Sequence, residues 1–102
     1  MAFIRANFAT SSNHGRGNSG PEATPGAPVI HTYRTEDAAA AVDTAGYFND
    51  IRALLNVGDL IYRVTVNSSG VVQTAGWHVV MTKTATAVDV SDTTALTVTN
   101  TD

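Results

Sequence analysis

The stretch "DLIYRVTVNSSGVVQTAGWHVVMTK" (Asp59–Lys83) reads as two strands around a turn. In its first half Leu60, Tyr62, Val64 and Val66 alternate with Ile61, Arg63 and Thr65, so each set lines one face of a strand. "NSSG" (Asn67–Gly70) has the composition of a hairpin turn. The return strand sets Trp77, Val79 and Met81 on one face and His78, Val80 and Thr82 on the other. Gly76, in the middle of that strand, predicts a bulge or a close backbone approach.

Upstream, "VIHTYR" (Val29–Arg34) is β-branched and aromatic and predicts a strand. "TEDAAAAVDTAGY" then changes period: Thr35 suits a helix cap, Glu36 and Asp37 its first turn, the alanines its body and Gly46 its end. "FNDIRALLNVGD" predicts a second short helix, with Phe48, Ile51, Leu54 and Leu55 on one face and Gly58 closing it. Downstream, "TAVDVSD" and "ALTVTN" read as two short strands rich in Thr and Val. The expected fold is mainly β, a small β-barrel or sandwich with one or two short helices, because open sheet edges are a hazard. No internal repeat is present.

A long extended N-terminal arm completes the expectation. Phe3, Ile4 and Phe8 form an apolar hook, and the nineteen residues Thr10–Pro28 then hold no large apolar side chain, all three prolines and four of the eight glycines. That composition cannot fold alone and orders by burying itself against partners. The chain therefore divides into an arm, residues 1–28, and a compact body, residues 29–102. Fully stretched, the arm reaches about 90 Å at ~3.3 Å per residue.

The chain has 102 residues and no cysteine. Disulfides are excluded, and the absence of thiolates with three well-separated histidines argues against zinc. A body this small is marginal as a monomer, which points to oligomerisation. The net charge of −3 is uneven. Arg5, Arg16 and Arg34 against Glu22 make the first third basic, while Arg52, Arg63 and Lys83 face eight acids in the remainder. This asymmetry lacks the clustered Lys and Arg of a nucleic-acid footprint. The start lacks the apolar core of a signal peptide, and no run is long enough to span a membrane. The expectation is a chain that remains soluble or joins an assembly, with no nucleic acid and no membrane as partner.

Catalytic patterns are missing. No serine lies in a G-x-S-x-G elbow or an S-x-x-K motif, and Ser68 and Ser69 are explained as turn formers. His31 and His78 alternate with apolar residues on strands and read as packed or surface groups, and His14 lies in the arm. Asp59, after Gly58, reads as a turn aspartate bound to nearby backbone N–H groups. Asp89 and Asp92 lack the spacing of a calcium loop, and "GRGNSG" lacks the Lys-Ser/Thr end of a phosphate loop. "NSS" at Asn67 matches a glycosylation sequon, but the turn explains it. Expected are no enzyme activity, no cofactor and no metal site. Tyr33, Tyr62 and Trp77 are candidates for a subunit interface, since aromatics in a small body serve core or interface.

The stretch His31–Val64, with "YRTEDAAAAVDTAGYF" and "LLNVGDLI" followed by a Thr/Val-rich β tail, resembles short virion proteins of tailed bacteriophages of the head decoration (cement) or head fibre type. The resemblance implies a structural role without catalysis: a homotrimer on the outer surface of the capsid, bound to the major capsid protein and locking the expanded shell. The physical reading of the arm adds contacts. Phe3, Ile4 and Phe8 would seat in apolar grooves of neighbouring subunits, and Arg5 and Arg16 would pair with acidic residues there. The alternative is a head-fibre or tail-fibre module for host receptor or glycan binding, with Trp77 and the tyrosines exposed.

Overall fold

The structure is a computed structural model and describes residues 3–10 and 28–101. Six strands form one mixed sheet: β1 (Phe8–Thr10), β2 (Ile30–Thr35), β3 (Leu60–Val66), β4 (Val72–Lys83), β5 (Val88–Val90) and β6 (Thr94–Leu96). Their spatial order is β1-β2-β3-β4-β5, with β6 also on β4. The fold is mainly β, as expected, but the sheet stays open and no barrel closes. β2 and β3 are parallel and the other pairs are antiparallel. A parallel pair needs a long crossover. Here the crossover carries a one-turn helix α1 (Ala39–Val42) and a 3-10 segment (Asn49–Leu54).

Both helical pieces are shorter than the sequence predicts. Thr35 does not cap a helix; it ends β2, and its hydroxyl accepts the Asp37 N–H at 2.9 Å. The N-cap of α1 is Ala38, with no side-chain hydrogen bond, so the alanines build a single turn. The 3-10 segment is kinked at Ile51, which brings Phe48, Ile51 and Leu55 inward and leaves Leu54 outside. The tighter 3-10 turn eclipses i and i+3, and the kink then shifts the inward position from residue 54 to 55.

The hairpin at Asn67–Gly70 forms as read. Gly70 has φ +83°, and the Asn67 side chain accepts the N–H groups of Ser69 and Val71. Gly76 marks a close approach. It pairs with Arg63, and a Cβ there would collide with Thr93 Oγ1 and stand 2.8 Å from the Thr94 carbonyl oxygen. The bulges fall elsewhere, at Thr65/Val66 against β4 and at Val80/Thr82 against β5.

The core lies on one face of the sheet, under the crossover and β5. Phe8, Tyr33, Ile61 and Val80 contribute from the strands, Val42, Phe48, Ile51 and Leu55 from the crossover, and Val88 and Val90 from β5. β1 corrects the expected division of the chain. Phe8 pairs with Tyr33 and Thr10 with His31, so the body begins before residue 28. Phe8 is buried in the chain's own core, and its strand covers an edge that β2 would otherwise leave open. Among the described residues no helix is long and apolar enough to cross a membrane.

Candidate functional site

The N-terminal hook packs inward. Phe3 stacks on Tyr33 with ring centroids 5.1 Å apart and meets Phe48 edge-on at 5.5 Å. Phe3 and Phe8 are thus partners of the same chain's core, in place of the expected grooves on a neighbour. Ile4 is half exposed and Arg5 exposed, in and beside a 3-10 turn, Arg5–Asn7, so these two remain at the surface. Arg16 lies outside the described residues. Tyr33 is likewise corrected as an interface candidate: it faces the core and is buried.

A hydrogen-bond chain explains Tyr33. Ile4 N–H donates to the Tyr33 hydroxyl at 3.0 Å; Tyr33 meets the Tyr47 hydroxyl at 2.8 Å; Tyr47 donates to Asp37 Oδ2 at 2.7 Å. Since Tyr47 gives its proton to Asp37, Tyr33 is the donor to Tyr47. Burial, then the bonds to Tyr33 and Asp37, push the Tyr47 phenol well above its ordinary value.

Two further polar groups lie beneath the sheet. His31 and Asp59 are fully buried, with Nε2 2.8 Å from Oδ2. Asp59 also accepts the N–H groups of Val29 and Asn56, both at 3.1 Å. The turn role read for Asp59 is present, with a buried pair added to it. Nε2–H donates to the carboxylate, so in the neutral ring Nδ1 accepts the Thr10 hydroxyl at 2.9 Å. Hydroxyl, imidazole and carboxylate stand in line, an order shared with nucleophile–base–acid arrays. The ring, however, has no exposed surface and stacks on Phe8 with centroids 5.3 Å apart. What this line does in the fold is tie β1 to β2 and to the start of β3.

The second group centres on Arg63, buried with no carboxylate of the described residues in hydrogen-bond contact. Nε donates to His78 Nε2 at 3.1 Å, Nη1 to the hydroxyls of Thr65 (2.6 Å) and Thr74 (3.1 Å), and Nη2 to that of Thr93 (3.1 Å). Burial lowers the affinity of both side chains for a proton; at His78 the nearby Arg63 charge acts in the same direction. A buried guanidinium bound only by neutral groups is costly unless its N–H groups are satisfied, and four of the five are. Sequence reading missed this layer. The signal was the run Ile61, Arg63, Thr65 on one face, opposite a more apolar one.

That opposite face is turned outward. Ile30, Leu60 and Val79 form one cross-strand row; Thr32, Tyr62, Trp77 and Thr94 a second; Arg34, Val64, Ala75 and Leu96 a third. Tyr62 and Trp77 are half-buried, with centroids 5.4 Å apart and planes at 53°. Ile30 is 39 %, Val79 41 % and Leu96 39 % exposed. The pattern is inverted: the more apolar face of the hairpin meets solvent, while the core face carries arginine, histidine and threonine. The face spans four strands and three rows, with Thr32, Thr94 and Arg34 among its apolar side chains. Contiguous exposed apolar patches on monomers are often functional.

A separate cleft of about 430 Å³ lies at the end of β2 and β3, between Ile4, Arg34, Glu36, Val66 and the turn at Asn67–Gly70. Among the described residues no group of three or more His, Asp or Glu side chains is placed to hold a metal ion. No family model, curated protein or solved structure matches this chain.

Proposed function

We propose that the chain is a capsid decoration (cement) protein of the tailed-phage type, a structural building block that binds the outside of a mature head. The observation that carries this reading is the inverted hairpin: an apolar face of Leu60, Tyr62, Val64, Trp77 and Val79 directed away from the chain's own core. Water contact at such a face is removed by a second surface, at roughly 25 cal/mol for each Å² of apolar area covered. Neighbouring copies, as a homotrimer, and the major capsid protein are the proposed partners. The resemblance of His31–Val64 to phage head proteins supplies the virion context. Ile4 and Arg5 stay at the surface for further contacts; Phe3 and Phe8 are already engaged. A protein that binds only the mature shell stabilises it by mass action, and repeated weak contacts add around a symmetric particle.

One observation favours a second reading. Tyr62 and Trp77 keep partial solvent contact side by side, as the aromatics of a glycan- or receptor-binding fibre module would. Copy number and heat separate the two. Heads carrying the protein in a fixed high ratio to the major capsid protein, and losing heat resistance when it is stripped, are the expected result. A few tens of copies per particle, with loss of host adsorption and unchanged heat resistance, would replace the decoration reading by the fibre one.

A further inference from the structure

After β5 the chain runs on along the same edge of β4 into β6, whose three residues are all exposed. β6 pairs with Ala75, Gly76 and Trp77 of β4, and the hydrogen bonds of the preceding link add to that short ladder. His78 Nδ1–H donates to the Ser91 carbonyl at 2.9 Å. Ser91 N–H donates to the Val79 carbonyl at 2.8 Å, and Val79 N–H to Ser91 Oγ at 2.9 Å. Arg63 Nη2 then reaches Thr93, in the space that Gly76 leaves open. Arg63 and His78 thus hold the two ends of the Ser91–Thr93 link, and their own 3.1 Å contact joins them.

We propose that the Arg63–His78 pair is a proton-sensitive clamp: protonation of His78 releases the segment from Ser91 to Leu96 while the rest of the sheet stays folded. The hydrogen bonds fix the neutral Nδ1–H tautomer, with Nε2 as acceptor for the guanidinium. A proton on Nε2 turns that acceptor into a donor and sets two cations together where neither has exposed surface. Repulsion at that depth is weakly screened. The cheapest relief moves the edge segment, since β3 and the rest of β4 are held by the central ladder.

Burial decides the sign. The bond from Nδ1–H to the Ser91 carbonyl favours the charged ring, as do Asp43, at the end of α1, and Asp92, in the β5–β6 link; burial and the Arg63 charge, facing the ring from β3, together outweigh them. His31 lies two strands away on the same face, behind Ile61, and its Nε2 is turned to Asp59. With the segment released, His78 takes up a proton nearer the ordinary imidazole value of about 6.5; with the segment clamped, only at lower pH. The clamp is therefore at full strength above that range and weakens as pH falls through it. Release also strips Thr94 from beside Trp77 and Leu96 from beside Ala75, one margin of the outer face. That last consequence rests on the docking reading; the clamp does not.

Amide hydrogen exchange on the intact chain tests it, with rates corrected for intrinsic pH dependence. Protection at Ser91 and across β6 should fall by up to about tenfold per pH unit below pH 6.5, the limit for one linked proton. Amides between β2 and β3 should keep their protection. His78→Gln, neutral at every pH and still able to accept from Arg63, should flatten the dependence. Four results would overturn the clamp: no protection at Ser91 at neutral pH, protection that does not change with pH, loss in step with the whole sheet, or an unaltered pH profile in His78→Gln. Should that variant not fold, the native chain's local and global exchange still decide. Light scattering at both pH values reads the outer face separately: intact clamp behaviour without any association contradicts the docking reading alone.

Discussion

The Thr10 hydroxyl lies 2.9 Å from Nδ1 of His31, at the residue where the Pro- and Gly-rich segment begins. Asp59, on the other side of the same ring, accepts the N–H of Val29, where that segment ends. Thr10 of β1 and Val29, next to β2, are therefore tied to one buried His–Asp pair.

If the hook belongs to the core, shortening it is a stability experiment. Phe8→Ala should cost about 3–5 kcal/mol, the range for a large aromatic lost from a packed core. Denaturant unfolding measures it. A change within 0.5 kcal/mol would mean that Phe8 is not packed in solution.

Asp59 holds three donors at once, from Val29, Asn56 and His31. Asp59→Ala leaves all three without their acceptor and should destabilise by about 3–5 kcal/mol, as when one partner is removed from a buried pair. His31→Ala in the Asp59→Ala background should then cost less than it does alone. Additive effects in that double-mutant cycle would contradict the coupling.

Gly76 is required by Thr93 and Thr94, not by its backbone angles. Gly76→Ala should destabilise by about 1–3 kcal/mol, the usual cost of overpacking. Thr93→Ala should recover part of the loss, since the Thr94 carbonyl oxygen remains in the way. Thermal melts of the two single variants and the double variant check this.

Tyr47 gives an alkaline limit. Its folded-state proton affinity is raised by burial and by the bonds to Tyr33 and Asp37, so above about pH 10 the unfolded chain releases a proton that the folded chain keeps. Stability should fall as pH rises past 10 and not below it. Tyr47→Phe should be less stable at pH 8, having lost two hydrogen bonds, and should show a shallower alkaline decline. An equal decline in both proteins would remove Tyr47 as the cause.

The strands were legible because alternation and turn chemistry are local. Asp59–Lys83 and Asn67–Gly70 form as their residues dictate. The helices were over-read because alanine favours a helix wherever tertiary structure permits one, and here Thr35 is taken by β2. Two features had no local signal. β1 is three residues long, and its partner is more than twenty residues away. Which face of the hairpin meets the core depends on where the crossover packs, and alternation is symmetric between faces. Gly76 could be read as a close approach; what approaches it, Thr93 from beyond β5, is a long-range contact. Alternation placed Arg63 with Ile61 and Thr65 on one face, and the three threonines and His78 assembled around it make its burial there tolerable.

The most direct measurement is an image of the intact particle at a resolution that places this fold. The proposed role predicts its density outside the head at a fixed multiplicity, with the Tyr62–Trp77 face covered by a neighbouring copy or by the major capsid protein. Density confined to fibres or tail, or a head-bound copy whose Tyr62–Trp77 face is open to solvent, would contradict it.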